Sequence, residues 1–272
     1  IKHRRKPEVL IVAPAYAEYA RNVAIAGGNC SYFFLRKEDD FRFDVASLIA
    51  SLSGELSLLM ICNPVNPTGT ALKAKELEEV LKRCEELDII CAVDETYVDF
   101  ADVSYDASPL SARYPGLFII RSMSKFFSAP GLRIGYGITS DERLLREIEE
   151  NKDPWSVSSL SNAAAILMLK DKEYINSAKN YMALERERVC KKLDELKQLG
   201  ITYIDPTANF VLVHIPEEKL SAEDLFERAL QEKMMIRNCS DYNGLGNNYI
   251  RFCFMKETDD DRLLAFIKES YS

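Results

Sequence analysis

Short uncharged apolar runs alternate with longer amphipathic segments through the first half of the chain. Residues 9–13 (VLIVA), 58–62 (LLMIC), 89–93 (IICAV) and 117–120 (LFII) are apolar at every position. Runs of this length predict strands buried on both faces, as in a parallel sheet. A fifth strand is expected at 134–138. Between the runs, residues 44–52 place apolar side chains at roughly helical intervals. Residues 74–86 set Leu77, Val80, Leu81 and Cys84 on one helical face, with Lys, Arg and Glu opposite. This alternation is that of βαβ units, so the expected fold class is α/β with a mostly parallel sheet.

The pattern changes after Trp155. Residues 159–199 read as mostly helix, densely charged from Tyr181 onward, with Gly200 as the C-cap. Short strands near 210–214, 234–237 and 249–254 follow, with helices near 222–233 and 259–270. The expected organisation is a large domain over residues 1–170 and a smaller C-terminal α+β domain over 171–272.

Composition narrows the function classes. The chain has 272 residues, is 47% hydrophobic, and carries a net charge of −8, which argues against a general nucleic-acid binder. Its seven cysteines form no CxxC pair, and several fall inside apolar runs, as expected of free thiols in a reducing cytoplasm. The two histidines, His3 and His214, lack ligand spacing, so neither a metal site nor a serine-histidine triad is expected. No apolar run approaches the roughly 20 residues that span a bilayer. The start, IKHRRKPEVLIVAP, sets a basic cluster before an apolar stretch too short for a signal sequence.

The candidate chemistry centres on residues 122–136, SMSKFFSAPGLRIGY. Ser122 and Ser124 flank the approach to Lys125, and Arg133 follows eight residues later. A lysine and an arginine beside two hydroxyls suit a phosphate dianion. A lysine crowded by cations and desolvated is also suited to carrying an imine. A phosphate site next to an imine-forming lysine points to pyridoxal 5′-phosphate. Asp94, closing the apolar run ICAV, puts a carboxylate at a buried strand end, where it needs a partner. Capping the following turn is the structural alternative for that residue.

Five ordered motifs span nearly the whole chain: APAYAEY at 13–19, NPVNPTG at 63–69, DETY at 94–97, SMSK…GLR at 122–133 and NYIRF at 248–252. Together they resemble the fold-type I, class I/II aminotransferase superfamily of pyridoxal-phosphate enzymes. The resemblance implies a three-layer, aspartate aminotransferase-like large domain and a role for each motif residue. Lys125 is implied as the imine-forming base and Asp94 as partner of the protonated ring nitrogen. Asn66 and Tyr97 are implied at the phenolic oxygen, and Ser122, Ser124 and Arg133 at the phosphate. Tyr16 matches the aromatic that stacks on the ring, with Tyr19 expected mainly to pack. Arg251 matches the arginine that grips a substrate α-carboxylate, with support from Asn209 and Asn66.

Two further stretches, DPWSVSSLS at 153–161 and MMIRNCSDYNGLGNNYIRF at 234–252, are similar to threonine-phosphate decarboxylases. The second adds Arg237, and two arginines suit a small phosphorylated amino-acid substrate bearing both a carboxylate and a phosphate. The implied reaction converts L-threonine O-3-phosphate to (R)-1-aminopropan-2-yl phosphate for cobalamin biosynthesis. The alternatives are a histidinol-phosphate or related amino-acid aminotransferase, and a non-catalytic cofactor-binding protein on the same fold. A cytoplasmic homodimer is implied by the resemblance. Family members also carry an upstream segment that covers the substrate and a glycine-rich turn that binds the phosphate. The motifs here begin beyond it, so a family fold truncated on its N-terminal side, with weakened cofactor retention, is expected.

Overall fold

The structure, a computed structural model, describes residues 6–216 and 218–272; His3 and the basic residues at 2–5 lie outside the described residues. The chain opens with β1 (Glu8–Ala13), α1 (Glu18–Ile25) and β2 (Asn29–Phe34). It continues through α2 (Val45–Ser51), β3 (Leu58–Cys62), α3 (Ala74–Leu87) and β4 (Ile90–Asp94). Next come β5 (Leu117–Ser122) and β6 (Gly135–Ile138). The six strands form one sheet in the order β2-β1-β3-β4-β5-β6, parallel except for β6.

Successive side chains on each strand point to opposite faces and so feed two cores. Leu10, Val12, Leu59 and Ile61 pack with Leu48 of α2 and with Leu77 and Leu81 of α3. Val9, Ile11, Met60 and Ala92 form the other face, against Tyr19, Ala20 and Val23 of α1. Helices on both sides of a mostly parallel sheet make the three-layer α/β fold. Each fully buried leucine contributes on the order of 1.5–3 kcal/mol. The apolar runs missed β2 because it is an edge strand with four of its six residues exposed, and such a strand needs no continuous apolar run.

The second half runs through α4 (Glu142–Asn151), α5 (Ser159–Lys170) and α6 (Lys172–Glu195). The helix expected over 159–199 breaks at Asp171, whose N–H closes α5 on Leu167 and whose side chain caps α6 through Tyr174 N at 2.9 Å. After Gly200, left-handed at φ 80° as a C-cap requires, come β7 (Thr202–Ile204), β8 (Phe210–His214) and α7 (Ala222–Gln231). Then follow β9 (Arg237–Asn238), β10 (Tyr249–Cys253) and α8 (Glu257–Tyr271). The strands make an antiparallel sheet in the order β7-β8-β10-β9. The strand expected at 234–237 shrinks to β9. Lys233 at φ 59° reverses the chain, and Met234 N bonds back to Ala229 O at 2.8 Å, so these residues close α7 instead of pairing.

A carboxyl pair joins α6 to α8. Asp260 is 1% exposed, and its Oδ2 accepts from Met255 N at 2.9 Å. Its Oδ1 has no hydrogen-bond partner among the described residues. Burial, with the Glu185 carboxylate beside it, pushes Asp260 up to about 7. Arg188 bonds Glu185 at 2.5 and 2.9 Å and Asp261 at 2.5 Å, which keeps Glu185 the ionised member. The folded chain therefore holds a proton that the unfolded chain releases above about pH 4. Stability is expected to fall as pH rises from about 4 through 7 and to level off above. Asp260→Asn, which keeps an acceptor for Met255 N, should flatten that slope in urea titrations between pH 5 and 8.

Candidate active site

A cleft of about 460 Å³ opens where the C-terminal ends of β3, β4 and β5 face β9 and β10. Crevices at the carboxyl ends of parallel strands are where open α/β sheets bind ligands. Tyr16, Asn66, Asp94, Tyr97, Lys125 and Arg251 all line it, as do Ser122, Ser124, Arg133 and Arg237. Of the residues singled out in the sequence, Asn209 alone is outside the lining. Its Oδ1 is buried and unpaired among the described residues.

Asp94 is the last residue of β4, level with Cys62 at the end of β3. Its Oδ1 caps the next turn, accepting from Thr96 N at 3.0 Å and Thr96 Oγ1 at 2.5 Å. Its Oδ2 accepts from Tyr19 Oη at 2.6 Å. Capping and cleft roles thus coexist on separate oxygens. The neighbouring Glu95 turns away from the cleft to Arg121 of β5, at 2.7 and 2.9 Å, and to Ala107 N at 2.8 Å. Those contacts fix the loop that carries Tyr97. Burial pushes the Tyr97 phenol up, against the pull of Arg251.

The two asparagines of NPVNPTG divide the labour. Asn63 staples the loop, accepting from Leu72 N at 2.8 Å and donating to Leu72 O at 2.9 Å. Gly69 takes φ 77° and lies so close to Pro206 that a Cβ would meet its ring carbon at 3.1 Å. Asn66 is left for the cleft. Its Oδ1 accepts from Tyr242 Oη at 3.2 Å and from Arg251. Its Nδ2, unbonded among the described residues, remains as a donor.

Past β5, Ser122 and Ser124 bond each other at 2.7 Å, and Arg133, left-handed at φ 49°, donates to Pro130 O at 2.9 Å. Lys125 is exposed and makes no hydrogen bond or ion pair among the described residues, so the burial expected of it is not present. The opposite wall is built by strand register. Arg251 on β10 pairs directly with Arg237 on β9, a like-charge juxtaposition that costs stability unless compensated. Asp241 compensates Arg237 at 2.6 and 2.8 Å, while Arg251 lies 4.9 Å from the Phe210 ring centre. Arg251 Nε is buried and unpaired among the described residues, a donor waiting for an acceptor.

This donor set fits pyridoxal 5′-phosphate: two hydroxyls and two cations for a dianion, a carboxylate for a ring cation, and amide and phenol donors between. A family profile described as aminotransferase class I and II matches residues 1–267. The chain belongs to that family. Its cofactor is pyridoxal 5′-phosphate. The threonine-phosphate decarboxylase of Salmonella typhimurium is 31% identical over 268 residues, 98% of this chain and 71% of that one. The histidinol-phosphate aminotransferase of Methanococcus aeolicus is 30% identical over 262 residues, 96% of this chain and 69% of that one. The crystal structure of the histidinol-phosphate aminotransferase from Clostridium acetobutylicum superposes with a TM-score of 0.91 at 31% identity, covering 97% of this chain and 78% of that one. The fold is the aspartate aminotransferase-like fold of this family of enzymes.

Sequence reasoning missed Thr96, Tyr242 and Asp241, and undervalued Tyr19. The Asp-x-Thr spacing at 94–96 signals a side-chain-capped turn. Asp241, four residues after Arg237, signals an ion pair. Tyr242 carries no such local signal.

Proposed function

We propose that the protein decarboxylates L-threonine O-3-phosphate to (R)-1-aminopropan-2-yl phosphate. The observation that carries this reading is the direct pairing of Arg237 with Arg251 on the cleft wall, facing a site that also holds Lys125. One arginine serves the carboxylate and the other the phosphate of a single small substrate.

When bound, pyridoxal 5′-phosphate supplies an electron-withdrawing ring that takes up the electron pair released at the substrate Cα. Asp94, fixed by Tyr19 and Thr96, holds positive charge on that ring. Ser122, Ser124 and Arg133 exchange their present contacts for the cofactor phosphate. Asn66 Nδ2 and Tyr97 Oη orient the ring through its phenolic oxygen. Arg251 fixes the substrate carboxylate in a two-pronged contact, which sets which Cα bond breaks. Lys125 then delivers a proton to Cα in place of the departed carbon dioxide. We place the protein in the cytoplasm as a homodimer; seven unpaired cysteines support a reducing compartment.

The close superposition on a histidinol-phosphate aminotransferase favours a second reading, in which Arg251 holds a glutamate co-substrate and Lys125 removes a proton from Cα. Product analysis separates the two. Carbon dioxide from L-threonine O-3-phosphate, without a 2-oxo acid, is the expected result. Glutamate-dependent conversion of imidazole-acetol phosphate without carbon dioxide would replace the first reading with the second.

A further inference from the structure

Tyr19 is the second residue of α1, which lies against the sheet face formed by Val9, Ile11, Met60 and Ala92. Three residues before it, Tyr16 is 49% exposed at the cleft and meets the Tyr19 ring edge-on, with centroids 5.9 Å apart. The Tyr19 phenol reaches past the end of the sheet to Asp94 Oδ2 at 2.6 Å. That length is typical of a hydroxyl donating to an ionised carboxylate. Thr96 supplies both donors on Oδ1. All three donors hold the carboxylate by direct hydrogen bonds, two on one oxygen and one on the other.

We propose that Tyr19 is a positioning residue for Asp94: its phenol fixes Oδ2 while Thr96 fixes Oδ1, so that the carboxylate meets the cofactor ring already oriented. The inference rests on the cofactor-binding reading above and extends it to a side chain that packing alone would have explained. Two further observations agree with it. Burial, Cys62 and Asp94 all push the Tyr19 phenol up, so it remains a donor throughout the working pH range. Cys62, pushed up to about 12 mainly by burial, stays a neutral thiol bonded to Pro64 O at 3.1 Å and does not compete as an anion. A backbone bond from Tyr19 N to Tyr16 O at 3.1 Å also ties the exposed Tyr16 to the residue that holds Asp94.

Tyr19→Phe removes one oxygen and keeps the ring that packs on the sheet. It should weaken cofactor retention about tenfold, the worth of one charge-assisted hydrogen bond. It should also displace the pH midpoint of the bound cofactor's visible absorbance. Thr96→Val should move the same midpoint in the same direction, and Thr96→Ser should restore it. A Tyr19→Phe protein with wild-type affinity and midpoint overturns the proposal. So does one that melts early but keeps the midpoint, because its phenol would then serve packing only. A wild-type protein that takes up no pyridoxal 5′-phosphate overturns instead the cofactor reading on which the proposal rests.

Discussion

Lys125→Ala is expected to lower turnover by at least about 10²–10⁴-fold, the usual contribution of a positioned proton-transfer group. The loss should appear in kcat, with the melting temperature unchanged. Lys125 is exposed and holds no partner among the described residues, so its removal leaves no buried group unsatisfied. A small primary amine added to the variant should recover part of the rate. Steady-state assays of wild type and variant, with and without amine, check this. Retained turnover in Lys125→Ala would remove the lysine from the chemistry.

Arg251→Ala is expected to cut kcat/KM by roughly 10- to 10²-fold, mostly through KM, as follows from a lost charge-assisted contact worth about 1.5–3 kcal/mol. Arg251→Lys should recover little, since an ammonium cannot present the two parallel donors of a guanidinium. The fold should tolerate either change. Asn66 Oδ1 keeps Tyr242, and Arg251 Nε has no partner among the described residues to lose. Removing one of two paired arginines even relieves a like-charge contact across β9 and β10. Arg237→Ala should likewise raise KM, since its guanidinium is proposed to hold the second anionic group of the substrate in exchange for its half-exposed contact with Asp241. Kinetics on the three variants, with melting curves as controls, separate substrate binding from folding.

How much of this was legible beforehand varies with the physics behind each feature. Strands β1, β3, β4 and β5 were readable because burial on both faces demands an uninterrupted apolar run. The buried face of α3 was readable for the parallel reason, its 3.6-residue period. Edge strand β2 and three-residue β7 bury too little to leave such a signature. At the site, Lys125, Asp94, Asn66 and Arg251 could be named from local motifs. What the motifs could not carry was pairing across the fold. That Tyr19 bonds Asp94, 75 positions away, depends on where α1 lands on the sheet. That Arg237 stands beside Arg251 depends on the register of a two-residue strand. Asn209, named from the TANF motif, has a buried Oδ1 with no partner among the described residues and is not among the residues lining the cleft. Lys125 adds one more: proximity of charged residue types in sequence suggested desolvation, yet the side chain stands exposed at the cleft.

The central claim is that the exposed Lys125 is where pyridoxal 5′-phosphate attaches. Borohydride reduction of the protein after incubation with the cofactor, followed by peptide mass mapping, tests it most directly. A stoichiometric label on the peptide containing Lys125, lost in Lys125→Ala, is the expected result. A label spread over surface lysines, or a mapped label on any other single lysine, would contradict it.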